Sequence, residues 1–114
     1  MTERETILMA FRFTLVYAEK LAADLADEEL ARMPQPGMNH AAWVLGHVAL
    51  GSDYVALLLG QAMHTDETWM ATFGPGSTPV SDRAVYPSKE RLLTTMRATH
   101  ARAIDLLNQA TTAQ

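Results

Sequence analysis

A chain of 114 residues has room for one domain, and its 48% hydrophobic and 19% charged residues are typical of a globular protein. Thirteen acidic against nine basic residues give a net charge of −4, which argues against binding to nucleic acid or anionic lipid. The absence of cysteine excludes disulfides, zinc–thiolate sites and a cysteine nucleophile. An acidic N-terminus without a long uncharged apolar run predicts a cytoplasmic protein that does not enter a membrane. We expect residues 1–114 to form a single domain.

The first predicted helix begins at Thr2, because Thr2 and Glu5 match the S/T-x-x-E capping box. Apolar residues then recur every three or four positions and predict one inward face, formed by Ile7, Phe11, Leu15, Ala18, Ala22 and Leu25. Residues 27–30 predict a short extra turn. The prolines within 34–37 fix two backbone angles and remove two amide donors, so this helix has ended before them.

The second predicted helix begins after Asn39, a good N-cap residue, and ends at Gly60. Asp53 is the single formal charge between residues 34 and 65, so this helix is expected to be the most buried part of the chain. Gly46 and Gly51 each weaken a helix by about 1 kcal/mol relative to alanine. Their presence predicts that a neighbouring helix or a ligand approaches closely.

The sequence after Gly60 predicts a short helix and then a third long helix. Residues 61–87 are less regular, with a short helix near 65–70 and a turn at 73–77. Ser88 caps the third long helix, whose inward stripe is Leu93, Met96, His100, Ala103 or Ile104, and Leu107, and residues 111–114 are expected to fray. Since no strand alternation competes, the predicted fold is all-α, with three long helices and a short helix in the 61–87 connection.

His47 is the most informative candidate for chemistry, because it lies in the least charged helix. A neutral imidazole binds Zn²⁺, Ni²⁺ or Fe²⁺ well, and an apolar surround restricts water. The alternative is a core histidine bonded to a backbone carbonyl or a tyrosine hydroxyl. His100, on the inward stripe of the third helix, would supply a second nitrogen ligand if it faces His47, or it is a buried histidine without metal. The predicted pocket lining is Trp43, Leu50, Tyr54 and Met96.

Other polar residues indicate a functional site less clearly than His47 and His100 do. His40 lies two turns from His47, about 10 Å along the helix, so the two cannot bind one ion, and His40 is predicted to be a surface or packing residue. His64, Asp66 and Glu67 form a polar cluster that is typical of a solvated loop, with a metal site as the lesser alternative. Phosphate-loop, nucleophile-elbow and H-E-x-x-H motifs are absent, so no catalytic residue is assigned.

Residues 39–49, Asn39-His40-Ala41-Ala42-Trp43-Val44-Leu45-Gly46-His47-Val48-Ala49, resemble the second-helix segment of the DinB/YfiT-like superfamily, in which a cap residue, a Trp, a Gly and a His follow in this order. Four further segments resemble the same family at the corresponding places along the chain: residues 28–30, Gly60, 73–77 and 87–90. The resemblance implies an up-down helical bundle, frequently dimeric, in which three histidines hold a divalent metal. One of these maps onto His47.

The other two family ligands form an H-x-x-x-H pair in the last helix, and this sequence departs from that pattern. It reaches Gln114 without such a pair, and Ile104 stands four residues after His100. The departure leaves three hypotheses open: His100 or a partner chain replaces the missing ligands, the protein has lost the metal site, or the sequence is a fragment lacking a fourth helix.

The resemblance implies a thiol-dependent transferase or a hydrolase that acts on small electrophiles with a divalent metal, Zn, Ni or Fe. Since the chain lacks cysteine, a low-molecular-weight thiol would arrive as a cosubstrate. The alternative is a shortened, non-catalytic relative without metal, a helical dimerisation or interaction module. Three amphipathic helices leave an apolar stripe uncovered, so a homodimer is expected to complete the bundle.

Overall fold

The molecule is built from helices joined by short turns and one long connection. A computed structural model describes residues 2–33, 35 and 38–110, and within these ranges no strand occurs. The helices are α1 (Glu3–Ala23), α2 (Ala41–Leu58), α3 (Glu67–Phe73) and α4 (Lys89–Gln109), with single 3₁₀ turns at Asp27–Glu29 and Arg83–Val85. The predicted all-α fold, with three long helices and a short one in the 61–87 connection, is confirmed.

The three long helices do not simply alternate in direction. Residue pairs 52–100 and 53–102 bring α2 and α4 together, and both numbers rise together, so these helices run parallel. The α1–α4 contacts pair residue 4 with 110 and residue 19 with 97, so α1 runs antiparallel to both. The connection 59–88, which contains α3, therefore carries the chain back to the end of the bundle at which α2 began.

Helix α2 lies at the centre of the bundle and contacts the other three helices. Nine of its 18 residues are buried, as the low charge of this segment predicts. A Cβ at Gly46 would collide with the Phe73 ring, so glycine is what lets α3 pack against α2 there, as predicted. No neighbouring helix approaches Gly51, where a Cβ would meet no atom within 4 Å, and the alternative of a ligand there stays a prediction.

The helix ends confirm most of the predicted caps. Thr2 and Glu5 form the complete capping box, and the Ser88 hydroxyl accepts from the Arg91 amide. Gly60 has φ +89°, a conformation that glycine adopts readily after a helix C-terminus. The prediction that Asn39 caps α2 is wrong, because the helix begins one residue later and His40 takes the cap position.

The inward faces of α1 and α4 are confirmed for most of their length, with Ala18 and Ala22 buried on α1, and they differ from the predictions near the N-terminal end of each helix. Ile7 was expected inside but is 44% exposed, and Leu8 is buried beside the core. On α4, Met96, His100 and Ala103 are buried as expected, and Leu92 is buried more deeply than Leu93. The cause is that flanking helices cover only one side of each helix, and sequence spacing alone does not say which side. The expected fraying at 111–114 and most of the 34–37 proline turn lie outside the described residues.

Helix α2 also has the length and composition of a membrane span, with a mean hydropathy of 1.4 over 18 residues. In the folded molecule 44% of that segment is buried inside the bundle. It also contains the carboxylate of Asp53, which is held by protein groups. The core helix of a bundle passes the same test of length and hydropathy, and α2 is such a helix.

Candidate metal and ligand groove

His47 projects from the exposed side of α2, and one of its two ring nitrogens is held by the protein. Its Nδ1 lies 2.7 Å from the backbone oxygen of Phe73 in α3. A carbonyl only accepts hydrogen bonds, so Nδ1 carries the proton and donates it. In the neutral ring the Nε2 atom then has a free lone pair, which is the form that binds metal ions or accepts a proton.

The His47 ring is also fixed by an aromatic neighbour. It stacks on Trp43, one turn earlier in α2, with ring centroids 4.4 Å apart and planes inclined by 12°. The indole nitrogen of Trp43 donates to the Ser77 hydroxyl at 2.9 Å, and that hydroxyl donates to the Gly74 carbonyl. Two contacts therefore orient His47, the Phe73 carbonyl at one ring atom and the Trp43 ring across its face.

His100 lies on α4 and is buried, with 1% of its surface exposed. Its Nδ1 is 3.3 Å from the hydroxyl of Ser52 on α2, and its ring packs against Phe11 with centroids 5.2 Å apart. Among the described residues, its Nε2 is the one buried side-chain nitrogen or oxygen without a hydrogen-bond partner. A buried polar atom in this state costs about 1–3 kcal/mol, which a partner bonded to this nitrogen would recover.

Burial lowers the pKa of His100 below its ordinary value. The backbone of Phe11 opposes this shift without reaching hydrogen-bonding geometry, and the charge of Glu19 opposes it more weakly. The Arg12 guanidinium adds to the lowering. His100 is therefore a neutral imidazole at neutral pH, which is the protonation state that a metal ligand needs.

A shallow groove of about 340 Å³ joins these two histidines. Helices α1, α2 and α4 all contribute to its lining, which is mostly apolar apart from the imidazoles and two hydroxyls: Ala10, Phe11, Thr14, His47, Val48, Gly51, Ser52 and His100. The groove is open to solvent at His47, which is exposed, and closes at His100.

The family model of the DinB superfamily matches residues 10–114 of this chain. The chain belongs to the DinB superfamily. No curated protein and no solved structure matches it. The resemblance predicted from residues 39–49 is thereby confirmed, and the helical bundle is the fold that membership in the DinB superfamily implies.

The DinB resemblance implies a metal held by three histidines, and the residues in the groove fit this expectation only in part. His47 fits, because its Nδ1 is bonded and its Nε2 is free. His100 lines the same groove with a free Nε2. Within residues 2–33, 35 and 38–110, no three His, Asp or Glu side chains are close enough to hold one ion. The described part of this DinB protein thus supplies at most two protein ligands at the groove.

The four residues predicted to line a pocket lie in different surroundings in this DinB protein. Trp43 is half-buried under His47, and Tyr54 is 46% exposed on α2. Leu50 and Met96 belong to the hydrophobic core. The sequence did not identify Phe11, Thr14 or Ser52 as groove residues, because nothing in their local pattern distinguishes them from their neighbours. Gly51 was a local indication of the groove, since a glycine within a helix weakens it.

Of the two alternatives predicted for His40, surface or packing, the structure confirms the packing residue. It is 2% exposed, its Nδ1 accepts from the Trp43 amide at 3.1 Å, and its Nε2 donates to the Val80 carbonyl at 2.8 Å. The Tyr86 ring meets it edge-on, and the Tyr86 hydroxyl accepts from the Val80 amide. His40 therefore joins the start of α2 to the segment before α4, and both of its nitrogens are occupied.

The polar cluster after α2 is organised around Asp53. The Asp53 carboxylate accepts from the backbone amides of His64 and Thr65 and from the Thr65 hydroxyl, at 2.6 to 3.0 Å. Burial on its own raises the pKa of Asp53, but these hydrogen bonds and the Arg102 charge outweigh it and lower the pKa. Asp66 caps α3 by accepting from the Thr68 and Trp69 amides, and the side chain of Glu67 is exposed.

Proposed function

We propose that this DinB-superfamily protein binds a divalent metal ion in the groove between α1, α2 and α4, with Nε2 of His47 as the first ligand. The observation that carries the proposal is the 2.7 Å hydrogen bond from Nδ1 of His47 to the Phe73 carbonyl. Metal-binding histidines commonly donate their other ring nitrogen to a carbonyl or carboxylate, which fixes the tautomer and raises ligand basicity. Nε2 of His100 is the second ligand in this proposal.

The chain's own groups prepare the groove for a small ligand. The Trp43 ring restricts rotation of His47, and the Ser52 hydroxyl lies 3.3 Å from Nδ1 of His100, where it would accept the Nδ1 proton if Nε2 held a metal ion. The apolar walls formed by Phe11 and Val48 limit water around the two imidazoles. Remaining coordination positions would go to water, a thiol cosubstrate or a second molecule, since no third protein ligand lies nearby within the described ranges.

The proposed reaction is a thiol-dependent transfer or a hydrolysis of a small electrophile. When bound, a divalent ion supplies Lewis acidity, which lowers the pKa of a thiol or water and provides a nucleophile at neutral pH. Any thiol would be external, because the chain contains no cysteine. The groove volume of about 340 Å³ suits a small organic molecule.

Metal content and metal-dependent stability test the proposal directly. Protein purified without an affinity tag, and with metal removed by chelation, is titrated with Zn²⁺ or Ni²⁺ while its melting temperature is followed. We expect one ion per chain and a rise in melting temperature, because an ion that binds only the folded state stabilises it. His47→Ala should abolish both effects without unfolding the protein, since His47 is exposed.

His64→Ala is the matched control, because His64 is also exposed but lies outside the groove. This variant should bind the ion as wild type does. His100→Ala should weaken binding less than His47→Ala if His47 is the primary ligand. A wild-type protein that remains metal-free at millimolar Zn²⁺ and Ni²⁺, or a His47→Ala variant that binds as well as wild type, would refute the proposal.

The second candidate is a non-catalytic helical interaction module. The observation that favours it is the concentration of exposed apolar side chains on α1, where Phe13 is 71% and Tyr17 is 61% exposed. A surface of this kind commonly marks an interface. The metal titration distinguishes the metal-binding protein from the interaction module. If the protein is an interaction module, it should self-associate without metal, and His47→Ala should self-associate as wild type does.

A further inference from the structure

Gly51 stands inside α2, and no contact with the rest of the protein explains why this position is a glycine. Glycine weakens a helix relative to alanine. The other glycine of α2, Gly46, is explained by the Phe73 ring that packs against it. A Cβ at Gly51 would meet no atom within 4 Å, but Gly51 does line the groove. Its missing side chain therefore leaves that part of the groove open to a ligand.

The groove offers no counter-charge to an ionic ligand. Among the described residues that line it, none is an aspartate, glutamate, lysine or arginine, and its apolar walls include Phe11 and Val48. Arg12 and Glu19 shift the pKa of His100 in opposite directions, and neither of them lines the groove. A charged molecule between these walls would lose hydration without gaining an ion pair. The groove therefore favours uncharged molecules.

The closed end of the groove has one unsatisfied polar atom, Nε2 of His100, which is buried and without a hydrogen-bond partner among the described residues. In the metal-free protein, the Ser52 hydroxyl can donate to Nδ1 of the same ring, from which it lies 3.3 Å away. Nε2 then carries the proton of the neutral imidazole and can donate it to an oxygen of a ligand. A molecule with an apolar body and one carbonyl oxygen matches this arrangement.

We propose that the groove binds small, uncharged, mostly apolar molecules that carry a carbonyl oxygen, and that Gly51 determines how large a molecule fits. The apolar body lies against Gly51 beside Phe11 and Val48, and the oxygen faces the imidazoles. The groove volume of about 340 Å³ is at the lower end of the range for small-molecule sites. This inference deepens the proposed function by naming its substrate class. It rests on that function for the reaction alone, because the binding itself requires no metal.

Three probes of nearly the same shape and different charge test the ligand class: neutral benzamide, anionic benzoate and cationic benzamidine. Metal-free wild type is titrated with each at neutral pH while its amide chemical shifts are followed, since a bound ion could attract the carboxylate of benzoate. Benzamide should bind with a Kd of roughly millimolar, as expected for so small a molecule, and shift the amides of groove residues. Benzoate and benzamidine should bind at least about tenfold more weakly.

Gly51→Leu tests whether the missing side chain sets the size of the ligand. Leucine is a better helix former than glycine and its Cβ meets no protein atom within 4 Å, so the circular dichroism and melting temperature should show a folded protein. The leucine side chain would occupy groove space, and the benzamide Kd should rise at least about tenfold. Gly51→Ala should weaken binding less. Ala98→Leu adds the same side chain at an exposed position of α4 outside the groove and should bind benzamide as wild type does.

Three results would each overturn this inference: benzamide that shifts no groove amide in wild type, a charged probe that binds as tightly as benzamide, or an unchanged benzamide Kd in folded Gly51→Leu. The failure of this inference is distinguishable from the failure of the proposed function. Wild type that binds Zn²⁺ but not benzamide refutes the ligand class alone. Wild type that binds benzamide but no metal ion supports the ligand site and refutes the proposed metal.

Discussion

Three histidines of this chain differ in which of their ring nitrogens are bonded within the protein. Both nitrogens of His40 are bonded within the protein, so it can only stabilise the fold. His47 is bonded through Nδ1 and offers Nε2 to solvent, and His100 keeps a buried Nε2 without partner. The residue type is the same in each case. The surrounding carbonyls, amides and hydroxyls decide which of them can bind a ligand.

The lowered pKa of His100 predicts how stability depends on pH. Burial keeps the folded-state pKa below the value of about 6.5 in the unfolded chain, so the unfolded state binds more protons between the two values. The contribution of neutral His100 to the free energy of unfolding is therefore fully present above about pH 6.5, and it is lost as the pH falls from 6.5 towards the folded-state pKa. Between pH 7.5 and 5.5 the loss from this residue is at most about 1.4 kcal/mol.

Urea unfolding of wild type and His100→Gln at both pH values measures this effect. The substitution removes the titrating group, so the variant should lose less stability between pH 7.5 and 5.5 than wild type does. The two proteins differ at no other residue, so the difference between their pH dependences reports on residue 100. Equal pH dependence in the two proteins would show that His100 is not held neutral by the fold.

At the scale of elements, two glycines in the same helix serve as matched probes of packing. Gly46 faces the Phe73 ring of α3, and Gly51 faces the open groove. The intrinsic helix propensity is the same at both positions, where alanine is favoured over glycine by about 1 kcal/mol. Only the neighbouring element distinguishes them.

Gly46→Ala should therefore destabilise the protein and Gly51→Ala should not. Overpacking against Phe73 is expected to cost about 1–3 kcal/mol. Gly51→Ala should leave stability unchanged or raise it by up to about 1 kcal/mol, because its new methyl group meets no neighbour. Chemical unfolding of both variants provides the comparison, and similar destabilisation of the two would contradict this account of α2–α3 packing.

At the scale of the whole molecule, a few polar side chains hold the connections in place on the helices. Asp53 links α2 to the segment before α3 and to Arg102 of α4. Asp27 accepts from Arg83 and from the Lys89 amide, which links the turn after α1 to the start of α4. These contacts join parts of the chain far apart in sequence, and they fix the long return that makes α2 and α4 parallel.

Asp53→Ala should be among the most destabilising single polar substitutions. It removes a buried carboxylate and leaves two amides, a hydroxyl and a guanidinium without their partner, a loss of about 3 kcal/mol. Asp105→Ala, at an exposed position of α4, is the control and should change stability by less than about 0.5 kcal/mol. The midpoint of denaturant unfolding measures both, and a small effect at Asp53 would show that the connection is held by other contacts.

The sequence by itself determined the helices, most of their caps and the family, because capping boxes, helix-ending glycines and spacings of three and four residues are local. It also selected His47 and His100, which line one groove. Only the tertiary structure decided that His40 replaces Asn39 as the cap, that Leu8 rather than Ile7 is buried, and that Ser52 lies beside His100. These outcomes depend on which side of each helix its neighbours cover, and that is fixed by contacts between segments distant in the chain.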